Sequence, residues 1–173
     1  VNMGLIRYGL ILANDITKPD EALKLSMQVA PYVDGIKIGI TTILEGGILL
    51  IRKIKSETGK LIIADFKVAD IGFWNKEKGC WQGTNAKIVE KAIEAGADYV
   101  ICHSIVGLSS IQECIEVAHS KGGKVLTLPF MTHKGAELFF GHPLNIDHAL
   151  SILEKYGISI PSYKLESVRT VCD

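Results

Sequence analysis

The sequence lacks an excess of charge of either sign. Nineteen Lys and Arg stand against nineteen Asp and Glu, so the 173 residues carry no formal net charge. That balance gives no support for a nucleic-acid-binding or membrane-surface role, both of which need a basic face. A small anionic ligand, which needs only a few local cations, is still possible. Cysteine is scarce too. Cys80, Cys102, Cys114 and Cys172 are nowhere spaced as CxxC, so no zinc knuckle or dithiol motif is present. A reducing cytoplasm fits that usage. No apolar run approaches the roughly 20 residues that span a bilayer, and the N-terminus does not read as a signal peptide. Also missing are a GxGxxG after a strand, a GxxxxGK[ST] loop, a GxSxG elbow and an HExxH pair. The five histidines, at 103, 119, 133, 142 and 148, do not form a metal constellation.

What is present is a rhythm. Hydrophobic residues make up 47% of the chain, enough for a sizeable core. Short apolar runs of β type alternate with helical patterns. Strands are predicted at 9–13, 35–39, 61–66, 99–103 and 124–130, with a short run at 158–160 as a sixth. Helices are predicted at about 19–30, 41–58, 85–95, 109–120 and 146–156, and 164–171 reads as the start of another. Pro19 with Asp20 and Glu21 suits a first helical turn, and Gly59 and Gly96 suit helix ends. Leu61 to Ala64 is apolar on both faces, as a parallel strand covered on both sides requires.

About six βα units imply an α/β fold with a parallel sheet. A doubly wound sheet gathers its site at one switch point. A (β/α)₈ TIM barrel collects residues from the ends of many strands around one mouth. Asp15, Lys37, Asp65, Lys67, His103 and Thr132 fall at or just past successive strand ends, which favours the barrel. Residues 1–173 are therefore expected to form a single barrel domain, C-terminally incomplete, with two of the eight units missing. One stretch breaks the rhythm. Residues 72–83 form a long βα connection that holds both tryptophans. It is expected either to pack its aromatics on the barrel rim or a partner, or to act as a lid on the site.

The chemistry concentrates at Asp65, Lys67 and Asp70. In an extended strand, residues 65 and 67 point the same way. Three charges within six residues of a barrel mouth must pair to be tolerated, and pairing would hold the lysine protonated and oriented. Lys37 lies within Gly-Ile-Lys-Ile-Gly, where a lysine needs a partner; Asp65 on the next strand is the obvious one. By spacing alone the cluster fits a salt-bridged strand end equally well. With Asp15 and Lys37 added it becomes an alternating array of charge. Such an array, with no metal constellation or cofactor motif in the sequence, suits carbanion stabilisation and proton delivery by lysine.

Five runs carry a resemblance: Leu-Ile-Leu-Ala-Asn-Asp (10–15), Ile-Lys-Ile-Gly (36–39), Ile-Ile-Ala-Asp-Phe-Lys-Val-Ala-Asp-Ile (62–71), Ala-Gly-Ala-Asp (95–98) and Met-Thr-His-Lys-Gly-Ala-Glu (131–137). In this order they resemble archaeal-type orotidine 5′-phosphate decarboxylase. The resemblance implies a homodimeric TIM barrel with sites shared across the subunit interface. It implies conversion of orotidine 5′-monophosphate to UMP and CO2 in de novo pyrimidine biosynthesis, in the cytoplasm, with no cofactor and no metal. By position, Asp15 and Lys37 would bind the ribose hydroxyls, and Lys37 would also hold Asp65. Asp65 would lie near the substrate carboxylate, and Lys67 would stabilise and protonate the C6 carbanion. Asp70 and Ile71 would reach into the partner's site. Thr84 would touch the ribose across the interface, and Thr132 would contact the pyrimidine.

There are departures from the family pattern. Residues 72–83 look like an insertion of about ten residues. Lys134 stands where the family usually has proline. The phosphate-binding Pro-Gly-Val-Gly run and Gly-Arg pair have no counterpart in the 173 residues, so these residues alone are expected to bind substrate poorly and turn over slowly. Two rival readings remain. One is the Mg²⁺-dependent 3-keto-gulonate-phosphate decarboxylase and hexulose-phosphate synthase group, which shares Asp-x-Lys-x-x-Asp but has an acid near position 37. The other is a non-catalytic nucleotide-binding paralogue.

Overall fold

A computed structural model of the chain describes residues 7–131. The chain divides after Leu128 into two compact units. The first unit holds strands β1 (Ile11–Asn14), β2 (Gly35–Gly39), β3 (Leu61–Val68), the short pair β4 (Trp74–Asn75) and β5 (Cys80–Trp81), β6 (Tyr99–His103) and β7 (Lys124–Leu128). Its helices are α1 (Pro19–Val29), α2 (Ile40–Gly46), α3 (Leu49–Thr58), α4 (Thr84–Glu94) and α5 (Leu108–Ser120), with a 3₁₀ turn at Ala30–Tyr32.

Five strands form one wholly parallel sheet in the order β1-β2-β3-β6-β7. With the β4–β5 hairpin set aside as a sheet of its own, this is chain order. A doubly wound sheet reverses its order at a switch point; a barrel adds each strand beside the last. One row of the register runs level across the whole sheet, through Ala13, Lys37, Ile63, Tyr99 and Lys124.

Alternation along the strands separates two faces. Ile36, Ile38, Ile62, Ala64, Val100 and Cys102 join Leu50, Ile51, Ile54, Val89, Ala92, Cys114 and Ala118 of the helices in one core. Each large aliphatic side chain buried there is worth about 1.5–3 kcal/mol. The opposite parity gives the other face: Ile11, Ala13, Lys37, Ile63, Asp65 and Leu126. The helices are tied to the sheet by polar contacts as well. Asn14 is fully buried and donates to the Ala22 carbonyl (2.8 Å) and to Ser26 Oγ (3.0 Å). That pair fixes α1 against the end of β1, one residue before Asp15. At the other end of the sheet, Asp98 accepts from the Ile62 amide (2.7 Å) and from Lys55 Nζ (2.5 Å).

Strand β1 begins at Ile11 rather than at 9, β7 ends at Leu128 rather than at 130, and the structure departs from the sequence-based expectations in three further places. The helix expected over 41–58 is two, α2 and α3, because Gly47 has φ +72° and turns the chain between them. The connection 72–83 is an antiparallel hairpin rather than a loop. Strand β3 runs two residues further than expected, to Val68, and is irregular. Ala64 pairs with Val100 while Val68 pairs with Cys102, four steps on one strand against two on the other. Such a bulge re-aims side chains and is common beside functional sites.

Candidate active site

The bulge lies under the charged cluster. Lys67 sits inside it with φ +47°, the left-handed region that non-glycine residues seldom adopt. Asp65 and Lys67 therefore do not share a face through plain extended geometry, as the spacing suggested. They converge because the bulge turns the chain between them. Lys67 Nζ donates to Asp65 Oδ1 at 2.7 Å. Lys37, reaching across from β2, donates to Asp65 Oδ2 at 2.6 Å. Each carboxylate oxygen thus faces one ammonium.

Burial grades the three groups. The side chain of Asp65 is 7% exposed, that of Lys37 26% and that of Lys67 42%. The carboxylate is the enclosed member, and Lys67 has an open side from which to meet a ligand. Burial pushes the Asp65 carboxyl up, but hydrogen bonds from Lys37 and Lys67 outweigh it and hold the group below its ordinary value. Two cations and one anion leave the cluster with one net positive charge. That suits an anionic ligand or negative charge developing on carbon. It suits a divalent metal poorly, because a cation at Asp65 would have to displace an ammonium group.

Asp15 follows Asn14 at the end of β1 and is exposed. Its carboxylate lies directly against Gly39, where a Cβ would collide with Oδ1. Glycine at 39 therefore makes room for Asp15 beside the end of β2, and Gly39 is itself level with Asp65. The expected four-member array is present as a bonded triad, Lys37, Asp65 and Lys67. Asp15 stands at the neighbouring strand end and makes no ion pair among the described residues. Asp70 makes none either. Its Oδ1 accepts from the Ile71 amide at 2.7 Å. Ile71 is 76% exposed, and Thr84 opens α4 with an exposed side chain. Thr132, His133 and Lys134 lie outside the described residues.

A buried polar group that the sequence reading missed supports the Asp70 loop. Asn85, the second residue of α4, grips Asp70 on both backbone groups. Its Oδ1 accepts from the Asp70 amide (3.0 Å), and its Nδ2 donates to the Asp70 carbonyl (2.9 Å). Asn85 also donates to Ser110 Oγ (3.0 Å) and Glu113 Oε2 (3.3 Å) on α5. One signal was legible: Glu113 is an acid on the stripe 110, 114, 117 and 118 of an otherwise amphipathic helix.

The hairpin lies over α4 and α5. Trp74 and Trp81 meet edge to face with centroids 5.2 Å apart, and Trp81 Nε1 donates to Glu116 at 2.6 Å. Trp81 also lines a shallow groove with Ala86, Lys87 and Glu90 of α4. Trp81 thus packs against helices α4 and α5 of its own chain, where the sequence-based expectation placed these aromatics on the barrel rim or a partner. The one indole hydrogen bond, from Trp81, runs to α5 and not to the charged triad.

Residues 9–150 match the model of the orotidine 5′-phosphate decarboxylase / HUMPS family. The chain belongs to this family. It is 35% identical over 165 residues to the orotidine 5′-phosphate decarboxylase of Pyrococcus abyssi, covering 94% of this chain and 71% of that relative. It superposes on orotidine 5′-monophosphate decarboxylase from Methanocaldococcus jannaschii, solved with the inhibitor BMP. The TM-score is 0.70 at 35% identity, over 86% of this chain and 64% of that one. A likeness to 3-keto-L-gulonate-6-phosphate decarboxylase from Vibrio cholerae, at TM-score 0.58 and 23% identity, shows the fold alone. The fold is the family's TIM barrel. The 173 residues cover about 70% of the length of the curated relatives.

Proposed function

We propose that this chain carries the catalytic triad of an orotidine 5′-monophosphate decarboxylase, acting in de novo pyrimidine biosynthesis without metal or cofactor. The observation that carries the reading is Asp65 enclosed between Lys37 and Lys67, with one ammonium on each carboxylate oxygen. In this reading the C6–carboxylate bond breaks, CO2 leaves, and the electron pair stays on C6. The Lys67 ammonium stabilises that charge and passes one proton to C6, giving UMP and a neutral amine that solvent reprotonates. Asp65 holds the Lys67 ammonium aimed until then, through their 2.7 Å hydrogen bond. Asp15 and Lys37 bind the ribose hydroxyls, and Thr132 contacts the pyrimidine.

The proposed working form is a homodimer in which Asp70, Ile71 and Thr84 reach the partner's site. Support comes from exposed apolar side chains that follow two neighbouring strands: Ile71 and Phe73 after β3, and Ile105, Val106 and Leu108 after β6. The proposed setting is the cytoplasm, in keeping with the free thiols of Cys102 and Cys114 in the core. No helix among the described residues is long and apolar enough to cross a membrane.

The test is release of labelled CO2 from carboxyl-labelled orotidine 5′-monophosphate, with enzyme in excess so that slow turnover is readable. Lys67→Ala is expected to lower the rate by about 10³-fold or more. Turnover that survives this substitution overturns the reading. Dependence on added Mg²⁺ favours the 3-keto-gulonate-phosphate decarboxylase group, and UMP binding without turnover favours a non-catalytic paralogue.

A further inference from the structure

Glu113 is fully buried in α5 and makes no ion pair among the described residues. Burying a carboxylate is costly unless donors satisfy it. Three do here. Oε1 accepts from the Gly83 amide at 2.7 Å. Oε2 accepts from the Phe73 amide at 3.3 Å and from Asn85 Nδ2 at 3.3 Å. Phe73 and Gly83 are the two feet of the inserted hairpin. A Cβ on Gly83 would strike the Glu113 carboxylate, so backbone and acid meet where only glycine fits. One side chain therefore closes the base of the hairpin and steadies the amide that grips Asp70. An apolar residue at 113 would leave two amide hydrogens and the Asn85 amide without this acceptor.

We propose that Glu113 is a positioning residue: through Asn85 and the hairpin feet it sets the backbone that carries Asp70, the acid that reaches the partner's site in the proposed dimer. The proposal rests on the decarboxylase reading for its kinetic consequence, but not for its structural one. The hairpin is then more than a surface decoration, since its closure and the placement of Asp70 depend on the same carboxylate. Glutamine at 113 offers one acceptor oxygen instead of two and turns an NH2 group toward a donor, so the shape is kept while the network fails.

Two measurements on Glu113→Gln decide the matter. In amide hydrogen exchange, Asp70 and Gly83 are expected to exchange at least about tenfold faster, with Ile36 and Ile62 in the sheet unchanged. Unchanged protection at Asp70 and Gly83 overturns the proposal. In single-turnover CO2 release, Glu113→Gln is expected to cost about ten- to a hundredfold, as misplacement of a reacting group by about an ångström does. The cost should vanish in an Asp70→Asn background, because the substitution acts through Asp70. An equal cost in both backgrounds marks a merely structural residue and overturns the positioning role. Should Glu113→Gln fail to fold, Asn85→Ala is the second variant. It should raise exchange at Asp70 but leave Gly83 protected, because Glu113 still holds the hairpin foot; protection lost at both or at neither overturns the proposed chain of contacts. A protein that releases no CO2 at all defeats the decarboxylase reading instead, and the exchange pattern still decides the clamp.

Discussion

Asp65 shows how one residue's surroundings set its chemistry. Its carboxyl stays ionised well into acid because Lys37 and Lys67 both bond to it, despite burial that works the other way. A group whose folded pKa is depressed lends stability that is fully present above its unfolded pKa, near 4, and lost as pH falls through the folded value. Asp65→Asn removes that contribution and leaves two ammonium groups facing each other. The variant should be less stable than the parent at pH 7, by about 1–3 kcal/mol given two charge-assisted hydrogen bonds. The gap should narrow as both proteins are taken to about pH 3. Denaturant melts at the two pH values check this, and a gap of constant size would show that the bonds do not discriminate between the ionised and neutral acid. The pairing of Lys37 with Asp65 was legible in the sequence, because a lysine between isoleucines in a strand has few other ways to be satisfied. The aim of Lys67 was not. Spacing suggested it, but the cause is a bulge and a positive φ, which no local composition announces. Glu113 was half legible, as an acid on an apolar stripe. Its partners come from residues 30 and 40 positions away in the chain.

At the scale of elements, periodicity located each helix and strand of the main sheet to within about two residues, because those elements are decided by burial of one face. Two connections escaped it. The break between α2 and α3 depends on the backbone of a single glycine, Gly47, inside a run whose apolar spacing carries on across it. The hairpin of Trp74–Asn75 and Cys80–Trp81 is too short to show alternation. It is held by the tryptophan pair, by the bond from Trp81 to Glu116 and by Glu113 at its base. Those contacts argue for a hairpin fixed on α4 and α5 rather than a lid whose tryptophans move over the site. Trp81→Ala should therefore lower stability by about 1–2 kcal/mol, less than a fully buried tryptophan because the side chain keeps some exposure. It should leave CO2 release within about twofold of the parent. A large fall in rate without loss of the folded fraction would favour the lid.

For the molecule as a whole, the strand order separates a barrel from a doubly wound sheet, and the sequence indicated the same answer through polar residues at one strand end after another. What the family supplies at the phosphate is a different matter. The Pro-Gly-Val-Gly run and the Gly-Arg pair have no counterpart in the 173 residues, although the triad of Lys37, Asp65 and Lys67 is in place. Binding energy from a remote phosphate assists chemistry at the pyrimidine only where something grips the phosphate. Residues 1–173 by themselves should then hardly distinguish orotidine 5′-monophosphate from orotidine, with kcat/KM values within about tenfold of each other and both low. A site that grips the phosphate favours the nucleotide by far more, since each tenfold in kcat/KM needs only about 1.4 kcal/mol of transition-state binding. Parity between the two substrates, with turnover of both lost on Lys67→Ala, would place the chemical half of the site within these residues. A strong preference for the phosphorylated substrate would instead mean that cations of this chain hold the phosphate. Lys134, where the family usually has proline, is the first to replace with methionine in that event, and loss of the preference in Lys134→Met would identify it.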